Sequence, residues 1–197
     1  MPSPSPISKR PRLEREAVVS ALVEDRADVL SQSVALLRRR GFRCASVTLG
    51  KTDRDHIARL TVTLEDGDEA PRLARELRRL LYVLSVDNLT DEPSVLRELL
   101  LVKVGAGVDE RAQVAQLCEV FRGRIVDVGP ETVIVETTGD AEKIAGFLEV
   151  LRPFGILEMN RTGPVVLARA DRVLATGPDD ESTWLRRRRR TSARRAS

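Results

Sequence analysis

The chain has 197 residues, 42% of them hydrophobic and only 3% aromatic, with a formal net charge of +3. That length buries one ordinary core or two small ones, the scarcity of aromatic rings argues against base-stacking platforms, and apolar runs that are short and broken by charges exclude a membrane-spanning helix. Two cysteines, Cys44 and Cys118, and one histidine, His56, argue against a disulfide framework or a Cys/His zinc cluster.

Residues 1–14 are rich in Pro and Ser and read as a disordered leader without the apolar core of a secretory signal, so a cytoplasmic protein is expected. AVVSALVE (17–24) predicts a buried strand. Residues 27–40 place Val29, Leu30, Val34 and Leu37 on one helical stripe, closed by Arg38, Arg39, Arg40 and Gly41. FRCASVTLG (42–50) alternates as a strand, with Phe42, Cys44, Ser46 and Thr48 expected on one face. HIARLTVTLE (56–65) predicts a strand, DEAPRLARELRRLL (68–81) a helix with Pro71 in its first turn, and VLSVDNL (83–89) another strand. The order nearly repeats in the second half. RELLLVKVG (97–105) is a strand and DERAQVAQLCEVF (109–121) a helix with Val114, Leu117, Cys118 and Phe121 on one side. Strands follow over 122–129 and 131–139, turning at Gly129-Pro130. DAEKIAGFLEVLRPF (140–154) is a helix N-capped by Asp140. A last strand over 155–171 is broken at Arg161-Thr162-Gly163-Pro164.

The expected class is therefore α+β, two ferredoxin-like βαββαβ modules in tandem over 15–90 and 95–171. A tail (172–197) follows. Its last twelve residues, RRRRRTSARRAS, hold seven arginines and no acid, which leaves −4 on the rest of the chain. The basic character thus belongs to the tail, which is expected to be disordered. A plain solvated extension is its default reading, and weak, salt-sensitive binding of nucleic acid is the alternative.

A catalytic constellation is hard to assemble. His56 follows a polar loop, Lys51-Thr52-Asp53-Arg54-Asp55, and no Ser or Cys sits in a motif that would need it as a base. Cys44 and Cys118 fall on apolar stripes and read as core residues. The pairs Asp66/Asp68 and Asp179/Asp180 lie in turn-like or tail sequence. Asp87-Asn88-Leu89-Thr90-Asp91 lacks the glycine and terminal glutamate of a calcium loop, and no glycine-rich phosphate loop occurs. No catalytic or metal-binding residue is assigned, and a regulatory or interaction protein is the class that fits.

REL-LLVKV (97–104), VFRGRIVDVGPETVIVETTGDAEKI (120–144) and LRPFGILEMNRTGPVVLAR (151–169) together resemble the small, regulatory subunit of acetolactate synthase (acetohydroxyacid synthase). The resemblance extends through RRRGF, Ser46-Val47-Thr48 and Leu81-Tyr82-Val83-Leu84-Ser85-Val86 to about residues 17–171. It implies an N-terminal ACT domain that pairs edge to edge into a homodimer and holds a branched-chain amino acid, usually valine, at the interface. It implies a second module that helps to dock on the catalytic (large) subunit. Thiamine diphosphate, magnesium and FAD would be carried by that partner and none by this chain. A free-standing ACT-type sensor acting on another enzyme is the alternative. Arg122, Arg124 and Arg161 are candidates for touching the catalytic subunit, while Gly123 and Gly163 read as turn or strand-entry residues.

The effector positions that the resemblance implies are altered. Where the family has N-x-x-G-[AV]-L, this chain has Asp25 for the asparagine and Asp28 for the glycine, and retains Val29-Leu30. Where the following strand has an asparagine after the aromatic residue, it has Arg43, followed by Cys44. Aspartate in place of glycine adds bulk where the backbone must approach a ligand carboxylate, and like charges about 4 Å apart repel by roughly 1–4 kcal/mol. Pairing of Asp28 with Arg43 of the opposite subunit, filling the site, is one reading and the favoured one, since it needs no ligand. A pocket recharged for a different amino acid is the second, and unrelated surface substitutions are the third.

Overall fold

The computed structural model describes residues 17–175. The leader, the Asp179/Asp180 pair and the arginine run of the tail lie outside the described residues. The described chain divides into two compact units, residues 17–94 with 168–175, and residues 95–167.

The first unit runs β1 (Ala17–Glu24), α1 (Val29–Arg40), β2 (Cys44–Lys51), β3 (Ile57–Leu64), α2 (Ala70–Leu77) and β4 (Val83–Asn88). Its sheet has the order β2-β3-β1-β4, with every pair antiparallel. The contiguous apolar run of β1 is explained by burial along almost its whole length. One set of alternate residues, Ala17, Val19, Ala21 and Val23, joins Leu60, Val62 and Leu64 of β3 in a core with Leu36, Leu37, Leu73 and Leu77 of the helices. Ser20 interrupts the run, and its hydroxyl accepts from Arg59 at 2.9 Å.

Two expectations about faces are corrected. The buried stripe of α1 is Val29, Ser33, Leu36 and Leu37, whereas Leu30 and Val34 are 43% and 47% exposed. A polar residue, Ser33, takes the inward place because its hydroxyl meets the buried Tyr82 hydroxyl at 3.1 Å. In β2, the register against β3 shifts between Cys44 and Ser46. A bulge moves the residues after it by one place, so Phe42 and Cys44 pack on the core while Ser46 pairs with the Thr63 hydroxyl at 2.6 Å. The second helix is also shorter than 68–81, because a 3-10 turn over Gly67–Glu69 precedes it and the chain leaves the helix at Arg78.

The second unit contains β5 (Ser94–Gly105, its first residue in the other unit), α3 (Arg111–Val120), β6 (Arg124–Val128), β7 (Thr132–Gly139), α4 (Ala141–Leu151), β8 (Ile156–Arg161) and β9 (Val165–Ala168). The order is β6-β7-β5-β8, and β9 also pairs with β5. The strand expected over 155–171, with its break at Arg161-Thr162-Gly163-Pro164, is two strands, both laid against β5. Gly163, at φ +75°, makes the turn between them. Leu100, Val102 and Val104 of β5 and Val133 and Val135 of β7 pack on Val114, Cys118, Ile144, Phe147 and Leu151 of the helices. Asp140 caps α4 as expected, accepting from the Lys143 N–H at 2.9 Å. Gly123 is needed for space, since a Cβ there would stand 2.9 Å from the Glu136 carbonyl oxygen.

The end of β8 is held by an ion pair. Arg161 Nε donates to Glu98 Oε1 at 2.7 Å, and Glu98 is 6% exposed. Thr162 adds two bonds to Leu99, one from its N–H and one to its hydroxyl. Arg124, by contrast, forks onto Glu136 at 3.1 and 3.3 Å on the open surface. Removing one member of a buried pair strands the other, whereas an exposed pair contributes little. Arg161→Ala should therefore cost about 2–3 kcal/mol and Arg124→Ala less than about 1 kcal/mol, measured by chemical denaturation; equal costs would contradict this account.

Candidate functional site

The loop between β1 and α1, Glu24-Asp25-Arg26-Ala27-Asp28, is held from both sides by backbone. Glu24 N–H donates to Tyr82 O at 2.9 Å and Asp25 N–H to His56 O at 2.8 Å. His56 stands at φ +61° to present that carbonyl, so it serves the loop through its main chain. Asp28 occupies the N-cap position of α1 but makes no side-chain cap bond. Its carboxylate turns instead to Arg26, which donates from Nε at 3.2 Å and Nη2 at 3.1 Å, and to Gln32 Nε2 at 2.5 Å. Arg26 also lies 3.5 Å from Glu24. The Asp28 carboxylate, through its hydrogen bond and charge, holds the Arg26 guanidinium above its ordinary pKa. The loop therefore neutralises part of its own charge.

Val29 is fully buried and belongs to the core, while Leu30 faces outward. Arg43 and Cys44 are placed elsewhere. They follow α1, whose twelve residues span about 18 Å, so one chain does not bring Arg43 to the loop that precedes the helix. Arg43 is exposed and pairs with Glu65 at 2.6 Å. Cys44 packs against the core, and burial raises its thiol pKa. Within a chain the structure brings together Asp25, Asp28, Val29 and Leu30, but not Arg43 or Cys44.

Asp87 and Asn88 have structural roles. The Asn88 side chain accepts from the Thr90 N–H and hydroxyl, and Asp87 accepts from Arg172 at 2.7 Å. Among the described residues no cluster of three His, Cys, Asp or Glu is arranged to hold a metal ion, and no helix is long and apolar enough to cross a membrane.

A concave feature lies in the second unit. A cleft of about 510 Å³ is lined by Arg97, Val120, Phe121, Arg122, Asp140 and Lys143, with Thr138 and Gly139. Sequence reasoning singled out Arg122 but not Arg97 or Lys143, which lie on β5 and α4. Only the antiparallel register of β5 on β7, which sets Glu98 opposite Gly139, brings the three cations to one end of the sheet. No local motif announces them.

The family model described as the small subunit of acetolactate synthase matches residues 97–170. A probable acetolactate synthase small subunit from Methanothermobacter thermautotrophicus is 42% identical over 159 residues, covering 80% of this chain and 95% of that protein. An acetolactate synthase small subunit from Mycobacterium bovis is 38% identical over the same length and coverage. The crystal structure of the acetolactate synthase small subunit from Thermotoga maritima superposes with a TM-score of 0.72 at 32% identity, covering 79% of this chain and 98% of that one. The chain belongs to the acetolactate synthase small-subunit family.

Proposed function

We propose that this chain is the non-catalytic, regulatory subunit of an acetolactate synthase in branched-chain amino-acid biosynthesis. The observation that carries the reading is end-to-end similarity to acetolactate synthase small subunits across both units. In this reading the chain raises the activity of a catalytic partner. Thiamine diphosphate, magnesium and FAD reside on that partner, which condenses pyruvate with pyruvate or 2-oxobutyrate. The first unit acts as an ACT-type module that dimerises edge to edge.

Feedback sensing in this reading is weakened. A ligand site that uses both the EDRAD loop and Arg43 needs two copies of the chain, because α1 separates them within one. In the loop Asp28 is already engaged by Arg26 and Gln32, and Arg43 by Glu65. An amino-acid carboxylate entering beside Asp28 meets a like charge and no glycine. The intrachain partners also offer Asp28 and Arg43 a resting place that does not require them to pair across a dimer.

Two measurements test this. Added to an acetolactate synthase catalytic subunit, the chain should raise pyruvate turnover severalfold; no change would count against the reading. Calorimetric titration with valine, leucine and isoleucine should show dissociation constants weaker than about 1 mM, corresponding to less than about 4 kcal/mol of binding. Micromolar valine binding would sink the weakened-sensing part and leave the subunit assignment standing.

A further inference from the structure

The three arginines offered as candidates for contact with the catalytic subunit are not equivalent. Arg124 is held by Glu136 and Arg161 by the buried Glu98. Arg122 has an exposed side chain and occupies an unusual backbone position. It follows Phe121, the C-cap of α3, in a helix closure in which Gly123 N–H donates to Cys118 O at 2.7 Å and Arg122 N–H to Glu119 O at 3.1 Å. Its φ is +49°, in the left-handed region that helix ends ordinarily fill with glycine. An arginine there destabilises the turn relative to glycine, so the fold itself gives no reason for the side chain.

Lys143 is placed with similar care. Its stem lies across Gly139, where a Cβ would come within 2.6 Å of Lys143 Cδ, and its ammonium donates to Thr138 O at 2.6 Å. Glycine at 139 is what leaves room for this cation at the cleft. Arg97 completes the set. The one carboxylate of the lining, Asp140, is engaged in capping α4. Beside the cations Val120 is 76% exposed, an apolar surface that a small inorganic anion would not need.

We propose that this cleft docks an acidic segment of the catalytic partner. Carboxylate is taken by Arg97, Arg122 and Lys143, and an apolar neighbour in that segment rests on Val120 and Phe121. The proposal rests on the functional reading above. It adds the site and the chemistry of the contact, and it assigns Arg124 and Arg161 to the fold.

The test is affinity of the full chain for the catalytic subunit, by calorimetry, alongside stimulation of pyruvate turnover. Arg97→Glu and Lys143→Glu should each weaken binding at least tenfold, and raising salt should weaken the wild-type complex. Arg152→Glu, at the opposite end of α4, should change it less than twofold. Arg122→Gly separates docking from folding: it should raise the melting temperature by about 2–4 °C while weakening binding at least fivefold. Charge reversals that leave affinity unchanged, or Arg122→Gly that gains stability without losing affinity, overturn the proposal. Inorganic phosphate binding abolished by the variants, with partner affinity untouched, makes the cleft a small-anion site and also overturns it. A wild-type chain that neither binds nor stimulates overturns the functional reading with it, whereas stimulation that survives the variants overturns the docking site alone.

Discussion

Antiparallel pairing of β1 with β3, and of β5 with β7, is the constraint on which the rest of this protein depends. Each pairing runs without a slip over eight residues. Because side chains alternate across a strand, that register decides which residues reach the helices. It places Val19 beside Val62 and Val102 beside Val135, and so builds one core in each unit. A shift by one residue would put Ser20 and Lys103 in those places. The β5–β7 register also brings Glu98 opposite Gly139, and the separate pairing of β5 with β8 sets Leu100 opposite Arg161. The buried ion pair and the cationic cleft are therefore both consequences of how β5 lies in its sheet.

Much of the fold was legible because long, strongly patterned segments dominate it. The β1 run, the Asp140 cap, the Gly129-Pro130 turn and the repeated strand–helix order all carry local signals. What was not legible is non-local. The α1 stripe was misread because Ser33 counts as polar in a pattern, yet it is buried by its bond to Tyr82, 49 residues away. The face of β2 was misread because a bulge leaves no trace in a short alternating segment. The break in the last strand was legible at Gly163-Pro164, but that both pieces pair with the twelve-residue β5 was not. In the candidate sites, Asp25, Asp28 and Arg43 could be picked out by resemblance, but their local partners could not. Arg97 and Lys143 had no signal, since a single cation on a strand or a helix is ordinary.

Glycine positions show how differently the same residue can be required. Gly163 supplies a left-handed turn, and Gly123 supplies clearance for a β7 carbonyl oxygen. Gly139 makes space for a lysine stem. Arg122 stands where a fourth glycine would relax the chain, which inverts the usual relation between residue and conformation. Strain at such a position is explained by what the side chain does outside the helix end.

On the proposed regulatory reading, the EDRAD loop separates effector chemistry from fold. Its shape depends on main-chain bonds from Tyr82 and His56, neither of which involves the side chains of Asp25 or Asp28. Substitution of Asp25 or Asp28 therefore leaves the backbone path intact. The Asp28 charge is met within the loop by Arg26 and beyond it by Gln32, at exposed positions where ion pairs contribute little to stability. The side-chain chemistry of this loop is thus only loosely coupled to folding energy, and it can drift while the sheet and the helices stay in place. The second unit offers no such freedom at Arg161, whose loss would strand a buried carboxylate.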